Sequence, residues 1–328
     1  MKISAGVNGF GRFGIHLLKY WLDRSESSYF DIKFINDDSL KIEKILDIIN
    51  NDEKVIFNKY KVQRINDIIR FLSPNGNVHE IIYTNYSKDD IPWIGEPRLV
   101  FECSGKNTQK KDCANYITKN TTNVIISATS WDADDTLIFG YNHKSFEENA
   151  KVISYGSCTV NAYVPLTNFL NDSFGVLDSD VNVIHNIQKY RLDENYTLNR
   201  KFCTLEKSAL GFLDFLNEEN FLVNYTVIPY DGVSTIDYRF RLEKDITLEH
   251  IVNTLDNEIN KGVLSGLYSM DQVDIGPEVY NCTTFSSVFI REQIRVLKNN
   301  LYIFSYFDNE NSTNRYFDLV NYISNKIT

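Results

Sequence analysis

The sequence predicts an α/β protein: a doubly wound sheet in its first half, then an α+β domain with a mainly antiparallel sheet. Three observations carry that prediction. A short β-prone run, KISAGVN (2–8), feeds a G-x-G-x-x-G turn and then an apolar helical pattern. Two further runs, RLVFECSG (98–105) and NVIISATS (123–130), are apolar and end in small residues, as parallel strands buried on both faces do. After residue 157 the pattern changes to long alternating strand candidates.

Each element of the first half has a physical reason. In Gly9-Phe10-Gly11-Arg12-Phe13-Gly14, Gly9 permits a tight turn, and Gly11 lets the backbone approach a pyrophosphate. Gly14 lets helix and strand pack closely, and the helix N-terminus favours an anion. The helix GIHLLKYWL follows, with Ile15, Leu18 and Trp21 about one turn apart, and FDIKFIND (30–37) is a second strand closing on an acid. Asp37, 23 positions after Gly14, is placed to accept hydrogen bonds from ribose hydroxyls. A carboxylate there repels a 2′-phosphate, so the pattern favours NAD over NADP. A glycine-rich turn without a ligand is the alternative, but strand, helix and acid all stand at the required spacing of a Rossmann-type unit. KNTQKKDCANYITKN between the next two strands has helical character. In such a sheet the ligand lies at the carboxyl ends of the strands, which brings Ser104, Gly105 and Ser127 to the cofactor. His79, in NGNVHEIIYTN, reads as a turn or surface residue, and His16 as a packed or surface one.

In the second half the strand candidates are VNVIHNI (181–187), YTVIPYDGVSTIDYRFRLEK (225–244), SSVFIREQIRVLKNN (286–300) and NLYIFSYFDN (300–309). TLEHIVNTLDNEINKG (247–262) is an amphipathic helix with Thr247 as N-cap. CTVNAYVPLTNFLND is a helix beginning at Cys158. The expected division is residues 1–156 for the dinucleotide fold, 157–309 for the α+β domain, and 310–328 for a terminal helix that packs back on the first domain.

Composition bounds the function. A chain of 328 residues, 43% hydrophobic and 24% charged, is globular and long enough for two domains. A net charge of −10 argues against a general nucleic-acid binder. No run reaches the length of a membrane span, and the N-terminus has no apolar signal core, so a cytoplasmic protein without a membrane partner is expected. Five scattered cysteines, with no C-x-x-C pair and no histidine cluster, point to free thiols and no structural zinc.

Cys158 is the residue with chemical promise. A lone cysteine is more often an inert core residue. His185 is the only candidate base for it, although a strand histidine is usually a core or edge residue. A neighbouring imidazole and a helix N-terminus both lower a thiol's pKa, and the helix start offers N–H groups to an oxyanion. Cys103, Cys113, Cys203 and Cys282 read as packing or incidental thiols.

With both halves in view, the chain resembles the glyceraldehyde-3-phosphate dehydrogenase family over nearly its whole length. The segments NGFGRFG, IND, VIISATSWDA, GYNH, SYGSCTVN, VIHN, VSTIDYRFRLEK, SSVF and DNEN carry the resemblance. It implies Cys158 as nucleophile, His185 as catalytic histidine, and Asn309 as the residue that fixes the nicotinamide carboxamide. It also implies cofactor positions at Phe10, Gly11, Arg12, Phe13, Asp37, Ser104 and Ser127, and substrate contacts at Ser157 and Thr159. A homo-oligomer is implied as well. The departures are specific. The stretch after His185 is shortened, which puts the family's tetramer interface in doubt. Val227 stands at the position of an arginine, Val160 at that of a threonine, and Thr313 at that of a tyrosine. Valine cannot replace a bidentate phosphate clamp. Lys189, Arg191, Arg200 and Lys201 in the same stretch offer other cations, or a solvated loop.

The resemblance therefore implies an NAD-dependent aldehyde dehydrogenase acting through a thiohemiacetal and thioester on Cys158, with an altered aldehyde or acyl substrate. The phosphorylating glycolytic reaction is one alternative. A catalytically weakened NAD-binding regulatory protein is the other.

Overall fold

The computed structural model describes every residue except Met1, Gln188, Tyr190, Arg191, Asp193, Glu194, Asn195 and Asp231, and describes Asn309 and Asn311 by backbone alone. Arg191 thus lies outside the described residues. The chain divides into two compact units, Met1–Gly156 with Tyr316–Thr328, and Ser157–Arg315.

The first unit contains β1 (Ile3–Asn8), α1 (Arg12–Asp23), β2 (Phe30–Asn36), α2 (Ile42–Asn51), β3 (Lys61–Ile65), β4 (Ile68–Leu72) and β5 (Val78–Thr84). It continues with β6 (Leu99–Glu102), α3 (Lys110–Cys113), β7 (Asn123–Ile126), β8 (Asp135–Thr136) and β9 (Val152–Ser154). These strands form one sheet in the order β3-β4-β5-β2-β1-β6-β7-β9-β8. Pairing from β5 to β8 is parallel, and β3–β4–β5 form an antiparallel edge. β6 shows why its sequence is apolar from Leu99 to Phe101. Leu99 and Phe101 belong to one core with Ile15, Leu18 and Trp21, while Val100 belongs to another with Trp93, Tyr116 and Val124. Both faces of the sheet are therefore covered.

Some elements differ from expectation. The helical run after residue 105 shortens to α3, continued by a 3₁₀ turn over Ala114–Tyr116. His79 is no turn residue: it lies in β5, half-buried with its ring edge-on to Trp21 at 5.0 Å. His16 is buried on α1.

The second unit contains α4 (Cys158–Phe174), β10 (Val176–Asn186), α5 (Thr204–Phe212), β11 (Phe221–Ile228), β12 (Ser234–Leu242), α6 (Leu248–Lys261) and β13 (Tyr268–Asp271). β14 (Ser287–Ile290), β15 (Arg295–Leu297) and β16 (Asn300–Phe307) complete its sheet, ordered β11-β10-β12-β16-β14-β13 with β15 on β16. Four of its pairings are antiparallel, while β10–β11 and β13–β14 are parallel. The expected strand over 225–244 is two strands: Pro229, which has no N–H to donate, follows the end of β11, and β10 lies between β11 and β12. The run 286–300 is likewise interrupted by a 3₁₀ turn at Arg291–Gln293. Lys298, at φ 55°, then turns β15 into β16.

α7 (Asn309–Lys326) leaves the second unit at Arg315 and continues in the first. There Tyr316 donates to the Ile125 carbonyl at 2.7 Å, and Phe317, Leu319, Val320 and Ile323 join the core under α1. No helix among the described residues is long and apolar enough to cross a membrane.

α4 carries Pro165 in its interior, where a proline removes one helical hydrogen bond. The Tyr268 hydroxyl fills the break. It donates to the Ala162 carbonyl at 2.9 Å and accepts from the Leu166 N–H at 3.1 Å, and Tyr238 donates to the same carbonyl at 3.0 Å. The helix that begins with Cys158 is thereby tied to the sheet behind it.

Candidate functional site

In the first unit the strand order reverses at β1, whose two neighbours are β2 and β6. Ligands of open α/β sheets bind at that point, beyond the carboxyl ends of the strands. Gly9 has φ +93°, and a Cβ there would lie 2.3 Å from the Ser104 nitrogen. A Cβ on Gly14 would lie 2.4 Å from the Gly9 carbonyl oxygen. Gly11, the residue before α1, has open space where its side chain would be. Gly9 and Gly14 thus stand where a side chain has no room, and Gly11 leaves its backbone open.

Asp37 is buried, and its carboxylate is anchored. Oδ2 accepts from the Phe10 N–H at 2.7 Å, and Oδ1 accepts from the Ser39 and Leu40 N–H groups, each at 2.9 Å. A carboxylate has about four acceptor positions, so capacity for a ribose hydroxyl remains. Gly11 with the start of α1 and the Asp37 carboxylate fit the pyrophosphate and ribose of a dinucleotide. Phe10 and Phe13 contribute differently from the other motif residues. Phe10 is fully buried, and Phe13 packs edge-on to Tyr155 and Tyr316 at 5.7 and 5.3 Å. The Arg12 guanidinium pairs with Asp52 and lies 3.2 Å from His16 Nε2.

Sequence reasoning missed Glu102, at the end of β6. It is 1% exposed, and accepts from Asn8 at 2.8 Å, Tyr116 at 2.9 Å, the Ser104 N–H at 2.9 Å and Asn107 at 3.0 Å. Its main-chain oxygen accepts from the Ser127 N–H at 2.9 Å. Ser104 and Ser127 are both held by this one residue. Gly105, at φ +70°, turns the chain just beyond it.

The second unit holds a pocket of about 350 Å³, lined in part by Ser157, Cys158, Thr159, His185 and Asn186. Ser157 caps α4, accepting from the Val160 N–H at 3.4 Å, which sets Cys158 at the first helical position. Period-two alternation along β10 buries Val181, Val183 and His185 on one face. Cys158 Sγ lies 3.5 Å from His185 Nε2. His185 Nδ1 lies 2.7 Å from the Asn186 carbonyl oxygen, which can only accept, so Nδ1 carries the proton and Nε2 is left as acceptor. Asn186 is fixed in turn: its N–H donates to Ser234 Oγ at 3.0 Å, and its Oδ1 accepts from that hydroxyl at 2.8 Å.

The thiol differs from expectation. Burial pushes the Cys158 pKa well above its ordinary value, reinforced by nearby Cys203 and Asp308, and backbone N–H groups of the first turn of α4 only partly oppose this. At 7% exposure, loss of water outweighs the helix start. The sulfur therefore rests as a thiol beside an imidazole that can take its proton.

Cys203, expected as a packing or incidental thiol, is buried. It lines the same pocket, with Sγ 3.7 Å from Thr159 Oγ1. Thr204 begins α5 and donates to Ser157 Oγ at 3.1 Å, and Ser157 Oγ lies 3.2 Å from Thr159 Oγ1. Three hydroxyls thus meet where two helices start. Cys103 and Cys113 are buried in the first unit. The side chain of Asn309 lies outside the described residues, and Lys189, Arg200 and Lys201 are not among the residues lining the pocket.

No family model matches the chain. Curated relatives match it from end to end. It is 27% identical over 342 residues to glyceraldehyde-3-phosphate dehydrogenase 1 of Bacillus cereus, covering 98% of both chains. Over 337 residues it is 25% identical to the cytosolic glyceraldehyde-3-phosphate dehydrogenase of Taxus baccata, covering 97% of this chain and 96% of that one. Identity to the glyceraldehyde-3-phosphate dehydrogenase of Geobacillus stearothermophilus is 25% over 348 residues, covering 99% of both.

Proposed function

We propose that the chain is a divergent member of the glyceraldehyde-3-phosphate dehydrogenase family, an NAD-dependent oxidoreductase acting on an aldehyde through Cys158 and His185. The observation that carries the assignment is the 3.5 Å approach of Cys158 Sγ to a His185 Nε2 that has no proton of its own. His185 takes the thiol proton as the sulfur lone pair attacks the carbonyl carbon. The hemiacetal oxygen is steadied by N–H groups at the start of α4, which have no acceptor inside the helix. His185 passes the thiol proton on to the hemiacetal oxygen and takes it back as the C–H bond breaks, leaving a thioester on Cys158. NAD, held by the backbone at Gly9–Gly14 and by Asp37, supplies the hydride acceptor when bound. Asn309 serves the nicotinamide end, and Ser104, Gly105 and Ser127 line the cofactor crevice.

Water or an anionic acceptor releases the acyl group. The phosphorylating reading keeps a specific observation in its favour: Ser157, Thr159 and Thr204 gather three hydroxyls at two helix starts, a surrounding suited to an oxyanion. The substrate itself is altered, because Val227 lines the pocket where a phosphate clamp is expected. We place the protein in the cytoplasm as a homo-oligomer with a small-molecule substrate. The test is NADH formation by purified protein across a panel of aldehydes, with and without inorganic phosphate, beside Cys158→Ser. NADH formation that disappears in the variant supports the proposal. Equal rates in both proteins remove Cys158 from it, and strict phosphate dependence selects the phosphorylating reading.

A further inference from the structure

We infer that the pocket takes a short aldehyde whose tail carries no charge, selected by Tyr225, Val227, Ile187 and Phe202. This rests on the Cys158 and His185 chemistry proposed above. The lining has two chemical characters. Ser157, Thr159, Thr204 and Asn186, with the thiol and imidazole, are polar and serve the reacting head. The four selecting side chains make up the rest apart from Cys203, and no Lys, Arg, Asp or Glu is among the lining residues described.

The apolar part lies beside the base. Val227 is the register partner of His185 in the parallel β10–β11 pair. Tyr225, two residues earlier and so on the same face, puts its ring centroid 5.7 Å from that of His185. A phosphorylated tail against Val227 and Tyr225 would lose water and gain no counter-charge from the described lining residues. His185 cannot supply one while its nitrogens face Cys158 and the Asn186 carbonyl. The two cations just before Phe202 point elsewhere: Arg200 reaches Glu206 at 3.5 Å, and Lys201 Nζ reaches Asn199 Oδ1 at 3.3 Å. A volume of about 350 Å³ stands at the small end for ligand pockets and suits a small substrate.

The experiment compares kcat/KM for butanal and for glyceraldehyde 3-phosphate at one saturating NAD concentration, using the full chain, Val227→Arg and Val227→Ala. The natural protein is expected to prefer butanal by about tenfold or more, the scale on which an apolar pocket discriminates. Val227→Arg is expected to shift that ratio toward the phosphorylated aldehyde by at least about tenfold, through a charge-assisted contact. Val227→Ala, which keeps the pocket uncharged, is expected to raise KM for butanal and to leave the preference in place. Preference of the natural protein for glyceraldehyde 3-phosphate overturns the substrate class while leaving the dehydrogenase reading intact. No NADH from either aldehyde or from a wider panel overturns both.

Discussion

Replacing Asp37 by asparagine removes a charge from a position where three backbone N–H groups converge. In the native structure they donate to the carboxylate at 2.7, 2.9 and 2.9 Å. An asparagine oxygen can keep the Ser39 and Leu40 bonds, but its NH₂ group then faces the Phe10 N–H, donor against donor. One charge-assisted bond is lost, worth about 1.5–3 kcal/mol, and the two that remain fall to neutral strength. The expected loss of stability is about 2–4 kcal/mol, read as a lower denaturation midpoint in urea. The ribose contact loses a charged acceptor too, so calorimetry should show NAD binding weakened about 10- to 100-fold. NADP should lose less, because the repulsion of its 2′-phosphate disappears with the charge. An unchanged midpoint together with unchanged NAD affinity would refute the reasoning, since the carboxylate would then neither hold the glycine loop nor meet the ribose.

Other predictions test separate parts of the structure. His185→Asn should lower kcat about 10²- to 10⁴-fold, the usual contribution of a general base, with circular dichroism unchanged; a loss below threefold would remove it from proton transfer. Because burial raises the Cys158 pKa, the free enzyme is protonated there at neutral pH and thiolate grows only as pH climbs past the ordinary thiol value. Iodoacetamide should therefore modify Cys158 slowly at pH 7, at a rate still rising above pH 9, and a plateau near pH 6 would contradict the burial argument. Gly14→Ala drives a methyl group to 2.4 Å from the Gly9 oxygen and should cost about 1–3 kcal/mol of stability, with weaker NAD binding. Equal melting of variant and native protein would show that the loop yields freely. Tyr268→Phe leaves the Leu166 N–H without its acceptor and should cost about 1–3 kcal/mol in denaturant unfolding; no change would mean that another acceptor takes its place.

The glycine loop was legible because its causes are local. A positive φ at Gly9 and a close contact at Gly14 demand those residues within a few positions of one another. The buried parallel strands were legible for a similar reason, since cover on both faces makes every position of β6 and β7 apolar or satisfied. The edge strand β3 was not. Four of its five residues are exposed, so it has no apolar period to read, and its existence depends on pairing with β4. The join between β11 and β12 was missed because alternation continues across it, and only the pairing of each with β10 shows two strands.

The candidate site divides along the same line. Cys158 and His185 could be picked out as candidates because each stands in a local pattern, a helix start and an alternating strand. Cys203 and Thr204 were passed over because their importance comes from a long-range meeting with Thr159 and Ser157. The one local signal was a Cys-Thr pair directly before the helical run LEKSALGF, the place where an N-terminus forms. Thiol basicity was misjudged for a deeper reason: the helix start and the imidazole are visible in sequence, whereas depth of burial belongs to the packed sheet. That burial also shapes the chemistry. A thiol kept protonated until His185 takes its proton is reactive only when base and carbonyl are both in place. In the proposed mechanism the Asn186 and Ser234 bonds that hold the imidazole then serve turnover together with the imidazole itself.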